Sequence, residues 1–74
     1  MRKRELLAIA RQVQQAGQPS IASDLIAIAE YSRDDEQREW LAYCEMCRYT
    51  REGETLAASL LWRAIYPAQA AIYR

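Results

Sequence analysis

Two glycines, Gly17 and Gly53, are the only ones in the 74 residues, and each interrupts a stretch whose apolar residues recur at helical spacing. A glycine just beyond a helix adopts a left-handed backbone without steric cost, so it stops the helix and turns the chain. Such stops leave room only for short elements. The spacing between them predicts an all-α fold of four to five short helices, arranged as two antiparallel helical hairpins in one domain spanning residues 1–74.

The first helix is expected from about Arg2 to Ala16, with Leu6, Ala10 and Val13, flanked by Leu7 and Ile9, on one face. Pro19 and Ser20 open a second, Pro being tolerated in the first turn and Ser serving as its cap. Ile21, Leu25, Ile28 and Ala29 form its apolar side, and it ends near Tyr31. Asp34 followed by Gln37 has the form of a capping box, and Asp35 and Glu36 suit the positive end of a helix dipole. The third helix continues through Trp40, Leu41, Cys44 and Cys47 to about Thr50. The fourth holds Leu56, Leu60, Leu61, Ala64 and Ile65 before Pro67, which kinks it or restarts a short terminal helix. Ala68, Ala71 and Ile72 are then placed to pack back.

The halves are faintly alike. Aligning Gly17 with Gly53 also pairs Ala22 with Ala58 and Leu25 with Leu61. Small and large residues at matched places let two antiparallel helices approach closely, as in tetratricopeptide-like repeats.

Composition narrows the function. Ala, Leu, Ile, Gln, Glu and Arg dominate, which favours helix over strand. With 51% hydrophobic residues a core is available, although a domain this short rarely gains more than about 3–5 kcal/mol from one. Self-association as a homodimer is therefore a reasonable expectation. Ten basic and ten acidic residues cancel, which argues against direct nucleic-acid binding, since gripping a phosphate backbone runs on net positive charge. No apolar run has the length of a membrane span, and a cytoplasmic location is expected.

No constellation for catalysis is visible. The chain lacks His, and it has no Gly-rich phosphate loop and no nucleophile motif. It reads as a non-enzyme without cofactor or metal. Cys44-Glu45-Met46-Cys47 resembles a redox or zinc pair, yet it sits within a predicted helix with no strand before it and no second pair. Packing is the preferred reading; a thiol switch or a metal bridging two subunits are the alternatives. The acidic runs at Asp34-Asp35-Glu36 and Glu52-Gly53-Glu54 fall at turns, where carboxylates cap and solvate.

Arg2, Lys3, Arg4 and Arg11 lie on the first helix. A helix-turn-helix forced onto Leu7–Leu25 would have only Asp24 as a charge on its recognition helix before Glu30, which repels DNA. The aromatics offer more. Trp is highly buried on average, so Trp40 and Trp62 are expected core anchors. Tyrosines near arginines make a contact surface of the kind that dominates binding hot spots. The candidate partner-binding set is Trp40, Tyr43, Arg48, Tyr49, Arg63 and Tyr66, with Tyr73 beyond it.

Gly17, Ala22, Leu25 and Ala29, followed by Asp35-Glu36-Gln37-Arg38-Glu39-Trp40-Leu41 and a downstream Cys, resemble the small PerC-type and ANR-type transcriptional regulators of enterobacterial plasmids, prophages and phages. The resemblance covers roughly Leu6 to Arg48. It departs where Tyr43-Cys44-Glu45 replaces an Arg-rich stretch and where Ile26 stands near an expected Trp. It implies a short helical protein that modulates other regulators through protein contacts, with Trp40 as the motif Trp. The expectation is a small regulatory adaptor whose protein partner is a transcription regulator. The alternative is a phage-encoded inhibitor that blocks a host complex, such as a defence machine, by occupying its surface.

Overall fold

A computed structural model, which describes residues 1–72, turns this punctuation into five helices: α1 (Lys3–Gln15), α2 (Pro19–Tyr31), α3 (Asp35–Arg51), α4 (Thr55–Ile65) and α5 (Pro67–Ile72). The fold is all-α, with no strand among the described residues. Tyr73 lies outside them.

Both glycines do what their position demands. Gly17 has φ of 85° and Gly53 of 74°, and each sits in the same hydrogen-bonded stop. Gln18 N–H donates to the Val13 carbonyl (3.2 Å) and Gly17 N–H to Gln14 (3.0 Å). Glu54 N–H donates to Tyr49 (2.9 Å) and Gly53 N–H to Thr50 (3.3 Å). This pair of bonds satisfies carbonyls that a helix end leaves without partners.

The other boundaries follow local chemistry, with one difference. Pro19 takes the first position of α2, but Ser20 lies inside the first turn, and no side chain caps that helix. Asp34 caps α3 as expected, its Oδ1 accepting from Gln37 N–H at 2.8 Å. The Gln37 side chain reaches back to Arg33 N–H at 2.5 Å, closing the loop between α2 and α3. Pro67 ends α4 and starts α5.

The core gathers Leu6, Ile9, Ala10 and Val13 of α1, Ala22, Leu25 and Ala29 of α2, Ala42, Met46 and Tyr49 of α3, and Ala57 and Leu61 of α4. The α1 face is the expected one. On α2 the face turns slightly, so Ala22 is buried while Ile21 and Ile28 are half-buried. On α3 the expected face is wrong. Trp40 is 63% exposed, Leu41 and Cys44 are exposed, and the buried side is Arg38, Ala42, Met46 and Tyr49. These recur at i, i+4, i+8 and i+11, almost opposite the Trp40–Cys44–Cys47 stripe. Small Ala42 lets α3 approach the other helices, and Arg38 enters this face because its head is engaged by three acceptors.

That engagement is specific. Arg38 Nε donates to the Ala29 carbonyl at 3.2 Å, and Nη1 donates to the Met1 carbonyl at 3.2 Å and to Asp35 Oδ1 at 2.6 Å. Ala29 is in the last turn of α2, where carbonyls lack helical partners and a cation meets the negative end of the dipole. One side chain therefore closes α2, anchors the start of the chain and fixes α3.

α1 packs most extensively on α2 and α3 on α4, with smaller contacts between α1 and α4 and between α2 and α3. Contact of α1 with α3, or of α2 with α4, is marginal at most. In a stack of translated repeats each unit meets the next along one direction, which would set α1 on α3. The larger contacts lie within each half of the chain, and those between the halves run from α1 to α4 and from α2 to α3. Gln18 Nε2 donates to Glu54 Oε2 at 2.8 Å across 36 positions, the same offset that relates Gly17 to Gly53. Leu6, Ala10, Val13 and Leu25 correspond by this offset to Ala42, Met46, Tyr49 and Leu61, and all eight are buried. The radius of gyration, 11.3 Å, equals the roughly 11 Å of a compact chain of this length. α5 packs on α4, but Ala68, Ala71 and Ile72 face solvent and Ala70 is the half-buried residue instead.

Candidate functional site

The exposed side of α3 carries a run of aromatic rings that continues onto the end of α4. Trp40 and Tyr43, three residues apart on one helix, stack with centroids 6.0 Å apart and planes inclined by 20°. Tyr43 is half-buried and packs against the core. Interaction with the Cys47 thiol, above all, and then the proximity of Tyr66 hold its phenol above the ordinary range. Tyr66, where α4 stops, tilts against Trp62 at 6.1 Å and 48°. Trp40, Tyr43, Tyr66 and Trp62 thus form one face, with Cys44 exposed beside it and Cys47 half-buried within it.

A groove opens next to this face, between the end of α3, the outer side of α4 and α5. Its volume is about 440 Å³, and Met46, Tyr49, Ala58, Ser59, Trp62 and Arg63 help to line it. Ala58, Ser59 and Trp62 stand at i, i+1 and i+4 on α4, so two small side chains leave the space that Trp62 borders. Trp62 belongs to both the groove and the aromatic face.

Two of the six expected contact residues are placed elsewhere. Tyr49 is fully buried, because the stop at Gly53 folds α4 over its ring. It is a core residue that lies beneath the groove. Burial first, and then the nearby Glu45 carboxylate, push its phenol above the usual range. The hydroxyl lies close enough to Glu45 to feel its charge yet has no hydrogen-bond partner among the described residues.

Arg48 is committed to internal pairing. It reaches Glu45 at 2.5 Å, Asp24 of α2 at 3.2 Å and Glu52 at 3.6 Å, and its guanidinium lies 4.9 Å from the Tyr49 ring centroid. Cation and ring attract at this distance. The Glu45 bond, first of all, raises the Arg48 pKa. Burial, the largest single effect, opposes ionisation of Glu45, but the hydrogen bond and charge of Arg48, together with the neighbouring Tyr49 hydroxyl, hold the carboxyl below its ordinary value. The cluster joins α2 to α3. Arg63, by contrast, is exposed and makes no ion pair among the described residues.

The structure therefore brings together Trp40, Tyr43 and Tyr66, sets Arg63 beside them across Trp62, pairs the half-buried Arg48 with carboxylates and buries Tyr49. Sequence reasoning missed the groove. Its only signal was the small pair Ala58-Ser59 ahead of a Trp, which reads equally well as helix filler. Among the described residues no three of His, Cys, Asp and Glu converge closely enough to hold a metal ion. No described helix is long and apolar enough to cross a membrane. What the face offers is aromatic area with polar tips and one neighbouring cation, which is chemistry for contact. Compared with known protein families, curated proteins and solved structures, the chain matches none.

Proposed function

We propose that this chain is a small binding domain, a regulatory adaptor that engages a protein partner through the Trp40–Tyr43–Tyr66 face. One observation supports the reading most: a Trp left 63% exposed and stacked on a Tyr. Trp and Tyr combine large apolar area with few rotatable bonds, and they carry a disproportionate share of binding energy at interfaces. A ring already held against its neighbour loses little further freedom on docking. The resemblance to PerC-type and ANR-type regulators makes a transcription regulator the partner class to test first.

The test is affinity capture from a bacterial lysate with the wild-type chain and with Trp40→Ala and Tyr43→Ala. Trp40→Ala is expected to lose the partner while melting like the wild type, since most of its ring is in solvent. A partner retained equally by both variants would place the interface elsewhere and end this reading. Capture of a nuclease complex instead, with loss of its DNA binding on addition of the chain, would favour an inhibitor.

A further inference from the structure

Resting on that protein-binding reading, we propose that the groove between α3, α4 and α5 receives an apolar side chain of the partner that is flanked by a carboxylate. Shape and charge both lead to this occupant. The floor is Met46, only 8% exposed, over the fully buried Tyr49. Trp62 forms a wall, and Ala58 and Ser59 leave the space open. A volume of about 440 Å³ lies within the range of sites that enclose small ligands or side-chain anchors. A thioether floor beside an indole wall gains by excluding water from an apolar group.

The charge is one-sided. Arg63 is the one charged residue in the lining, and no carboxylate contributes to it. Arg2, Arg4, Arg11 and Arg51 make no ion pair among the described residues, whereas Lys3 pairs with Glu30, Arg33 with Asp34, Arg38 with Asp35 and Arg48 with three carboxylates. Arg63 has no such neighbour among the described residues. A groove with an aromatic wall and one uncompensated guanidinium complements an apolar anchor carrying an adjacent negative charge. A basic or purely hydrophilic segment would leave that cation repelled or the floor wet.

The test uses 4-phenylbutyrate as probe and its uncharged amide, 4-phenylbutyramide, as control, followed by amide and indole NMR shifts of the intact chain. Phenylbutyrate is expected to give saturable shifts at Gly53, Ser59, Ala70 and the Trp62 indole N–H. Arg63→Gln is expected to weaken phenylbutyrate about two- to fivefold, the worth of one exposed ion pair, and to leave phenylbutyramide unchanged. Ser59→Phe, which fills the groove, is expected to weaken both probes. The far-UV spectrum and melting curve of each variant show that it is folded. Absence of saturable shifts up to the solubility limit would overturn the proposal, as would shifts centred on Trp40 and Tyr43. An equal effect of Arg63→Gln on both probes would overturn its charge component.

The two readings fail separately. Partner capture that depends on Trp40, in a chain whose groove ignores the probe, removes the groove and keeps the binding domain. Probe binding in a chain that captures no partner does the reverse.

Discussion

Replacing Arg38 with Ala tests the connection between the first and second halves of the chain. The guanidinium satisfies the Ala29 carbonyl, the Met1 carbonyl and Asp35 from a residue only 7% exposed. Its removal strands the Ala29 carbonyl at a helix end that packs against α3. A buried polar group left without a partner costs about 1–3 kcal/mol. The ion pair adds little, because the Asp35 side chain is 66% exposed and surface pairs are worth about 1 kcal/mol or less. Loss of the apolar stem adds a packing cost, giving a total of about 2–4 kcal/mol. Against a domain whose core supplies only about 3–5 kcal/mol, that is most of the stability. In a chain of this size each kcal/mol moves the melting temperature by about 4–8 °C, so a drop of roughly ten degrees or more is expected. Far-UV circular dichroism on heating, with urea titration as a check, reads it directly. Arg38→Met keeps the stem and should fall between Ala and wild type. A melting temperature for Arg38→Ala within about 3 °C of wild type would refute the reasoning, since the expected cost is several times larger.

Tyr49→Phe should change stability by less than about 1 kcal/mol, because the hydroxyl it removes has no partner, whereas Tyr49→Ala should cost about 3–5 kcal/mol; urea midpoints that rank the two alike would contradict the assignment of Tyr49 to the core. Gly53→Ala should destabilise by about 1–2 kcal/mol through the backbone alone, since φ is +74° and no atom lies within 4 Å of an added Cβ. Gly53→Asn should recover part of that loss, and equal melting of all three chains would show the stop to be dispensable. Asp34 and Glu45 ionise more readily in the fold than at their ordinary values of 3.8 and 4.5: the Gln37 N–H chiefly lowers Asp34, and Arg48 lowers Glu45 against the opposing effect of burial. The stability they contribute is complete above about pH 4.5 and is lost as pH falls through their folded values. Melting temperature should drop along that acid limb and drop less in Glu45→Gln and in Asp34→Asn, which keeps the cap; an unchanged slope in both variants would show that neither carboxylate matters.

The helix boundaries were legible because they are written in local chemistry. Gly17, Gly53, Pro19, Pro67 and Asp34 each act within a few residues of themselves, so no tertiary knowledge is needed to place them. The apolar face of α1 was equally plain, as its polar residues all lie on the other side. α3 was not legible for the opposite reason: between Trp40 and Tyr49 its apolar residues point in every direction, and size alone ranks Trp40 above Ala42. Only the partners of Arg38 and the position of α4 decide which side is covered. The same holds for the aromatic face. Trp40, Tyr43 and Tyr66 were accessible from residue type, but the burial of Tyr49 and the pairing of Arg48 with Asp24 depend on helices distant in sequence.

The contact between Gln18 and Glu54 carries a consequence for how such a chain could originate. Gln18 and Glu54 stand at equivalent positions of the two halves, 36 residues apart. One helix–glycine–helix unit of about 36 residues is below the length at which chains usually fold alone. It would bury the same surface by pairing with its own copy, with an amide–amide contact between two Gln18 side chains at the centre. Joining two copies end to end replaces that bimolecular encounter with an effective concentration in the millimolar range. Once tethered, the halves are free to diverge: one can keep a polar outer face while the other acquires the aromatic rings.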